Sequence, residues 1–208
     1  MTMTTKSPLA SYLLLGSLLV AALLAGAYLW RLGDGQGTGA VQTVSGEAEI
    51  GGPFTLTDQN GMRVSDTDFR GRHMLVFFGF TYCPDICPTT LSILSAALEE
   101  IGPLSDQVVP ILISVDPARD TPEVMKPYLS AFGEEFVGLT GTKEEIDDVV
   151  AAYRAYYQMD GEGEDYMVNH STVVYLMDEN GVFLSHYALD MGPDAIAADL
   201  TRRLSGDS

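Results

Sequence analysis

The chain has 208 residues, 46% of them hydrophobic, and its 11 Lys and Arg face 29 Asp and Glu, a formal net charge of −18 at pH 7. That balance excludes a nucleic-acid partner, because neutralising phosphates takes clustered Lys and Arg. Two cysteines are too few for a disulfide scaffold or a four-cysteine zinc site, so they act as one pair or not at all.

Residues 1–8 form a short leader that reads as a cytoplasmic tail. From Leu9 to Trp30 the sequence runs 22 residues without a charge, between Lys6 and Arg31. A bilayer core needs about 20 apolar residues in a helix, so 9–30 is expected to be a transmembrane helix. Ala25-Gly26-Ala27 has the small-x-small form of a signal-peptide cleavage site, but the run exceeds the ~7–15 residues of a signal core, which favours a retained anchor. Residues 31–46 carry five glycines and no large aromatic side chain beyond the span, and are expected to be a flexible linker. The globular domain is placed at 47–208.

Within it, Phe54–Thr57 and Met62–Ser65 flank Asp58-Gln-Asn-Gly61, a hairpin turn signal. His73–Phe80 is a continuous apolar run, as expected of a strand buried on both faces. Pro88–Ile101 has apolar residues at helical spacing. Val108–Val115 is a second buried strand. Thr121-Pro122-Glu123 starts a helix with a hydroxyl cap, a proline in the first turn and an acid near the positive end of the dipole. Thr142-Lys-Glu-Glu145 is a capping box for a helix to about Tyr157. Thr172–Met177 and Val182–Ala188 are strands joined by a turn at Asp178–Gly181, and a last helix follows Pro193. This order predicts an α/β fold, a mixed sheet with flanking helices.

The first buried strand feeds Phe80-Thr-Tyr-Cys83-Pro-Asp-Ile-Cys87-Pro. Both cysteines lie between the carboxyl end of a strand and the start of a helix, where open α/β sheets place their ligands. A helix N-terminus favours anions, so their thiols are expected below the usual pKa of about 8.5. Three residues separate them, which lets both sulfurs face one side of a helical turn. Two soft thiolates suit Cu(I), and an added imidazole suits Cu(II) or completes a three-coordinate site. Three histidines are available. His73 begins the buried strand at the end away from the cysteines, roughly 20–25 Å off. His186 lies within the final hairpin, and His170 lies on the loop entering it. The residues alone leave the choice open.

The runs GFTYCPDICPTTL, SVDPARDTPEVMKPYLSAF, VGLTGTKEEI and EDYMVNHSTVVYLMDENGVF occur in one order over residues 47 to 203 and resemble the Sco/SenC family of membrane-anchored copper proteins. The resemblance implies a thioredoxin-like fold behind a single N-terminal span. It implies Cys83 and Cys87 as thiolate ligands and His170 as the imidazole ligand of one copper, Cu(I) or Cu(II). Asp116 matches an acidic position of the family associated with copper delivery, although a carboxylate there can equally pair with Arg119. The implied partner is subunit II of cytochrome c oxidase, with a periplasmic copper donor upstream. The implied location is a bacterial-type inner membrane with the domain in the periplasm, equivalent to the mitochondrial inner membrane facing the intermembrane space.

The implied role is a metallochaperone rather than an enzyme. The competing reading is a thiol:disulfide oxidoreductase, or a redox or copper sensor, using a reversible Cys83–Cys87 disulfide. No proline occurs from Tyr128 to Gly192, where thioredoxin-type enzymes place one facing their cysteines, and the stretch contains His170 instead.

Overall fold

The computed structural model describes residues 50–206 apart from 162, 164, 165 and 189. The expected tail, span and linker lie outside the described residues. Among the described residues no helix is long and apolar enough to cross a membrane.

A hairpin, β1 (Thr55–Asp58) and β2 (Arg63–Ser65), opens the domain. Its turn is made by Asp58, whose Oδ1 accepts the N–H groups of Asn60 and Met62 at 2.9 and 2.8 Å, while Gly61 takes φ +80°. The same device recurs at Asp178, which accepts from Asn180 and Val182 with Gly181 at φ +74°. There it joins β8 (Val174–Met177) to β9 (Phe183–Tyr187).

The apolar runs become β3 (His73–Gly79) and β4 (Val108–Ser114), parallel neighbours at the middle of a seven-stranded sheet. With β5 (Val137–Thr140), its order is β2-β1-β5-β4-β3-β8-β9. Strands β3, β4 and β5 run parallel, and β1, β8 and their outer neighbours pair antiparallel. The sheet is mixed, as expected.

Side chains of β3 alternate between two covered faces. Phe78 meets Tyr153 at 5.5 Å between ring centroids, beside α3 (Lys143–Ala152). Phe77 faces the other way, toward the side covered by α1 (Ile86–Ile101). Both rings are fully buried, and each contributes about 1.5–3 kcal/mol by leaving water. Helix α1 buries Cys87, Leu91, Leu94, Leu98 and Ile101 as one stripe and packs on α4 (Pro193–Leu204). Helix α2 (Pro122–Ser130) lies close against β5, where a Cβ at Gly138 would stand 2.4 Å from Leu129 Cδ1 and push that side chain aside.

Four local readings change. Helix α1 begins at Ile86, two residues before the expected Pro88, so Cys87 lies in its first turn. Thr121 precedes α2 but its hydroxyl does not cap it; the Glu123 carboxyl is held below its usual pKa by its own backbone N–H first and by the Thr121 hydroxyl second. Thr142 and Glu145 do form the capping box of α3, but this helix ends at Ala152 rather than Tyr157. Arg154 takes φ +53°, and the Ala155 N–H reaches back to the Val150 carbonyl at 2.9 Å. These bonds close a Schellman-type end with arginine where glycine is usual. The chain then forms a second, two-stranded sheet, β6 (Tyr157–Asp160) and β7 (Met167–His170). His170 is therefore the last residue of a strand, not part of a loop.

Candidate metal centre

After β3 the chain turns through Phe80, Thr81 and Tyr82, and Asp120 holds that turn in place. Its carboxylate accepts from Thr81 N at 3.0 Å, Thr81 Oγ1 at 2.5 Å and Ser114 Oγ at 2.6 Å. Asp120 is wholly buried, and burial raises its pKa against the pull of these donors. Asp120→Ala takes the shared acceptor away from Thr81 and Ser114, at about 1–3 kcal/mol for a buried donor. The expected results are a lower Tm and faster alkylation of Cys83, read by calorimetry and by mass spectrometry of the labelled chain; an unchanged labelling rate would show that the turn does not depend on Asp120.

Cys83 precedes α1 and is partly exposed, whereas Cys87 in the first turn is buried. The Cys87 N–H donates to Cys83 Sγ at 3.4 Å, a contact that brings the sulfurs to one side of the turn. Cys87 Sγ lies 3.5 Å from His170 Nε2. His170 Nδ1 is 2.8 Å from the Ser171 carbonyl, so Nδ1–H donates there and the Nε2 lone pair is left facing the sulfur. Phe77 and Phe80 meet the imidazole edge-on at 5.9 and 5.7 Å and fix its plane. The two Sγ atoms and a His170 ring nitrogen all lie within 4.8 Å of one another. Two thiols and an imidazole thus converge with one sulfur toward solvent, a soft donor set.

The electrostatics of the pair differ from the expectation. Burial pushes the Cys87 thiol far above the ordinary range, with the Cys83 charge adding to the rise. The helix terminus does not overcome desolvation at a fully buried sulfur. Cys87 is therefore a neutral thiol until a cation or a bonded partner replaces its proton. Burial also lowers the His170 pKa, which favours the neutral imidazole that ligates metals.

Gly79 ends β3 beneath this group. A Cβ at position 79 would stand 2.8 Å from Cys87 Sγ, 2.9 Å from Phe77 and 3.1 Å from Leu112. Gly79→Ala is expected to cost about 1–3 kcal/mol by overpacking and to shift Cys87 Sγ away from His170. Thermal unfolding together with metal affinity measures both; wild-type values for the two would show that the contact is loose.

Asp116 sits at the end of β4 with no exposed surface. Its carboxylate is bonded to Arg119 Nε and to the Tyr166 hydroxyl, and its N–H donates to Ser114 Oγ at 3.0 Å. Arg119 lies 3.8 Å over the Tyr166 ring and 4.9 Å over Tyr82 of the cysteine turn, and its Nη1 reaches the Tyr166 carbonyl at 3.1 Å. The pairing with Arg119 is thus realised, and Asp116 does not join the Cys–Cys–His group. His73 is paired with Val108 at the far end of β3, and His186 is exposed on β9. Two contributors escape a sequence reading: Gly79, which gives no signal, and Asp120, whose only signal is a second carboxylate in the run SVDPARDTP.

A family model described as SCO1/SenC matches residues 42–205. Protein SenC of Rhodobacter capsulatus is 44% identical over 156 residues, covering 74% of this chain and 71% of its own length. The SCO2-like protein of Rickettsia prowazekii is 41% identical over 151 residues, covering 71% and 74%. The mitochondrial SCO1 homolog of Homo sapiens is 40% identical over 163 residues, covering 76% of this chain but 54% of the human protein. Among solved structures, copper-bound ScoI of Bradyrhizobium japonicum is 47% identical with a TM-score of 0.69, covering 74% of this chain and 98% of that one. BsSco, described as a member of the Sco family of cytochrome c oxidase assembly proteins with a disulfide switch, is 27% identical with a TM-score of 0.62, covering 76% and 95%. The mixed sheet and flanking helices are the thioredoxin-like fold of these neighbours.

Proposed function

Because the chain belongs to the SCO1/SenC family, we propose that it is a membrane-anchored copper chaperone serving the binuclear copper centre of cytochrome c oxidase subunit II. Copper is its cargo, held by Cys83, Cys87 and His170 and surrendered by ligand exchange. The observation that carries this reading is the convergence of two sulfurs and an imidazole nitrogen within 4.8 Å at the end of β3. Copper-bound relatives of the same fold support it. A three-donor site with Cys83 partly exposed leaves room for an incoming ligand, which suits transfer more than storage. Segment 9–30 is proposed as the single span, with the domain in the periplasm or, equivalently, the intermembrane space.

Nine of the eleven basic residues and all 29 acidic ones lie from residue 33 onward, a net of −20. An acidic domain at the membrane face attracts cationic copper and partners with basic patches. The second reading, a thiol:disulfide oxidoreductase acting on acceptor cysteines, is favoured by the free state of both thiols and their closeness. It leaves the placement of His170 without a purpose. Titrating Cu(I) into the reduced full chain tests the proposal: one tightly held copper per chain supports it, and no binding above that of a cysteine-free variant overturns it.

A further inference from the structure

Strand β7 carries His170 but stands outside the seven-stranded sheet, paired with β6 alone among the described residues. A two-stranded hairpin is marginally stable by itself, so the imidazole keeps its place only if the hairpin is fastened to the domain. Beyond His170 the chain rejoins the sheet at β8. At the other end of β7 the fastening is Arg119. The central carbon of its guanidinium lies 3.8 Å from the ring centre of Tyr166, the residue before β7, and its Nη1 donates to the Tyr166 carbonyl at 3.1 Å. The Tyr166 hydroxyl donates to Asp116, which is wholly buried and also accepts from Arg119 Nε. The same guanidinium lies 5.8 Å from the Phe80 ring, and Phe80 in turn meets the His170 imidazole edge-on at 5.7 Å. One side chain thus touches the hairpin on one side and the ring that backs the imidazole on the other.

We propose that Arg119 is a positioning residue for the copper site: by clasping Tyr166, Asp116 and Phe80 it holds His170 at ligating distance from the two sulfurs. This deepens the copper reading and rests on it. A guanidinium has no lone pair to offer a metal, so Arg119 acts through His170 and not as a donor. Arginine suits the task because its planar fork serves three partners at once: Nε on the Asp116 carboxylate, Nη1 on the Tyr166 carbonyl, and the flat face over the Tyr166 ring. A lysine can pair with Asp116 but cannot make all three contacts together. Without the clasp the hairpin shifts, Nε2 turns away from Cys87, and copper rests on the sulfurs alone.

The test is Arg119→Lys in the full chain, alone and combined with His170→Ala, measured by competition against a Cu(I) chelator. Alone, it is expected to lower copper affinity by about tenfold. In the His170→Ala background it should change affinity by less than about twofold, since a residue that acts through His170 has nothing left to position. The EPR spectrum of the Cu(II) form reads the imidazole directly, and its nitrogen coupling is expected to spread over more than one species in Arg119→Lys. Tyr166→Leu removes the stacking platform and leaves the Asp116–Arg119 pair; it gives the same pattern and decides the matter if Arg119→Lys lowers the copper-free Tm. Wild-type affinity in both variants, or the same tenfold loss with and without His170, overturns the inference and leaves the copper reading intact. A wild-type chain that takes up no copper overturns both.

Discussion

Replacing His170 by alanine is expected to remove tight copper binding while both cysteines keep their reactivity toward thiol reagents. The imidazole nitrogen stands 3.5 Å from Cys87 Sγ, with its ring set by the Ser171 carbonyl and by Phe77 and Phe80. Partners that merely orient a ligand are worth about 10–100-fold in metal affinity, so losing the ligand itself should cost about 100-fold or more. Dithiol exchange needs only the sulfurs and should proceed as before. Competition against a Cu(I) chelator, run beside a disulfide-exchange assay, separates the two. Copper held as tightly by His170→Ala as by the wild type would remove His170 from the site.

A larger loss is expected from Cys87→Ser. The hydroxyl fits the space of the thiol beside Gly79 and can pair with His170 Nε2, so the fold should survive. It is a hard, poorly ionised donor where a soft cation wants a thiolate. The affinity should drop by more than about 10³-fold, roughly 4 kcal/mol. The readout is thermal: copper that binds only the folded chain raises Tm, and Cys87→Ser should abolish that rise while the copper-free Tm stays near the wild-type value. Cys83→Ser should behave alike with a smaller loss, since Cys87 and His170 remain together. A copper-induced rise that persists in Cys87→Ser would contradict the dithiolate site.

The central strands, the two Asp–Asn–Gly turn signals and the cysteine loop could be read from the sequence because each depends on residues near one another in the chain. β3 is apolar on both faces because both are covered, and Asp58 and Asp178 close their turns with their own side chains. His170 was different. Its partner Cys87 is 83 residues away, and the pairing of β3 with β8 brings them together; strand position sets His73 apart, but nothing local to His170 names it as the ligand, and the family resemblance is needed to prefer it. The hairpin of β6 and β7 was hidden because α3 is ended by an arginine in a left-handed conformation, which carries no composition signal. The Cys87 pKa was misjudged for a related reason: a helix terminus is visible in a sequence, whereas burial of the sulfur is a property of the packed domain. Asp116 kept two readings open, and the bonds it makes to Arg119 and Tyr166 tie the segment before β7 to the turn that carries Cys83.

The central claim is that this chain passes copper to an acceptor rather than electrons to its cysteines. The direct measurement is to mix the copper-loaded full chain with a copper-free fragment of cytochrome c oxidase subunit II, first reduced and then oxidised, and to follow copper and thiols separately. Copper is expected to move to the reduced fragment with no change in its thiol count, and to stay in place when the fragment is oxidised. Thiols appearing on the oxidised fragment as Cys83 and Cys87 become a disulfide, with no copper transferred to the reduced one, would contradict it.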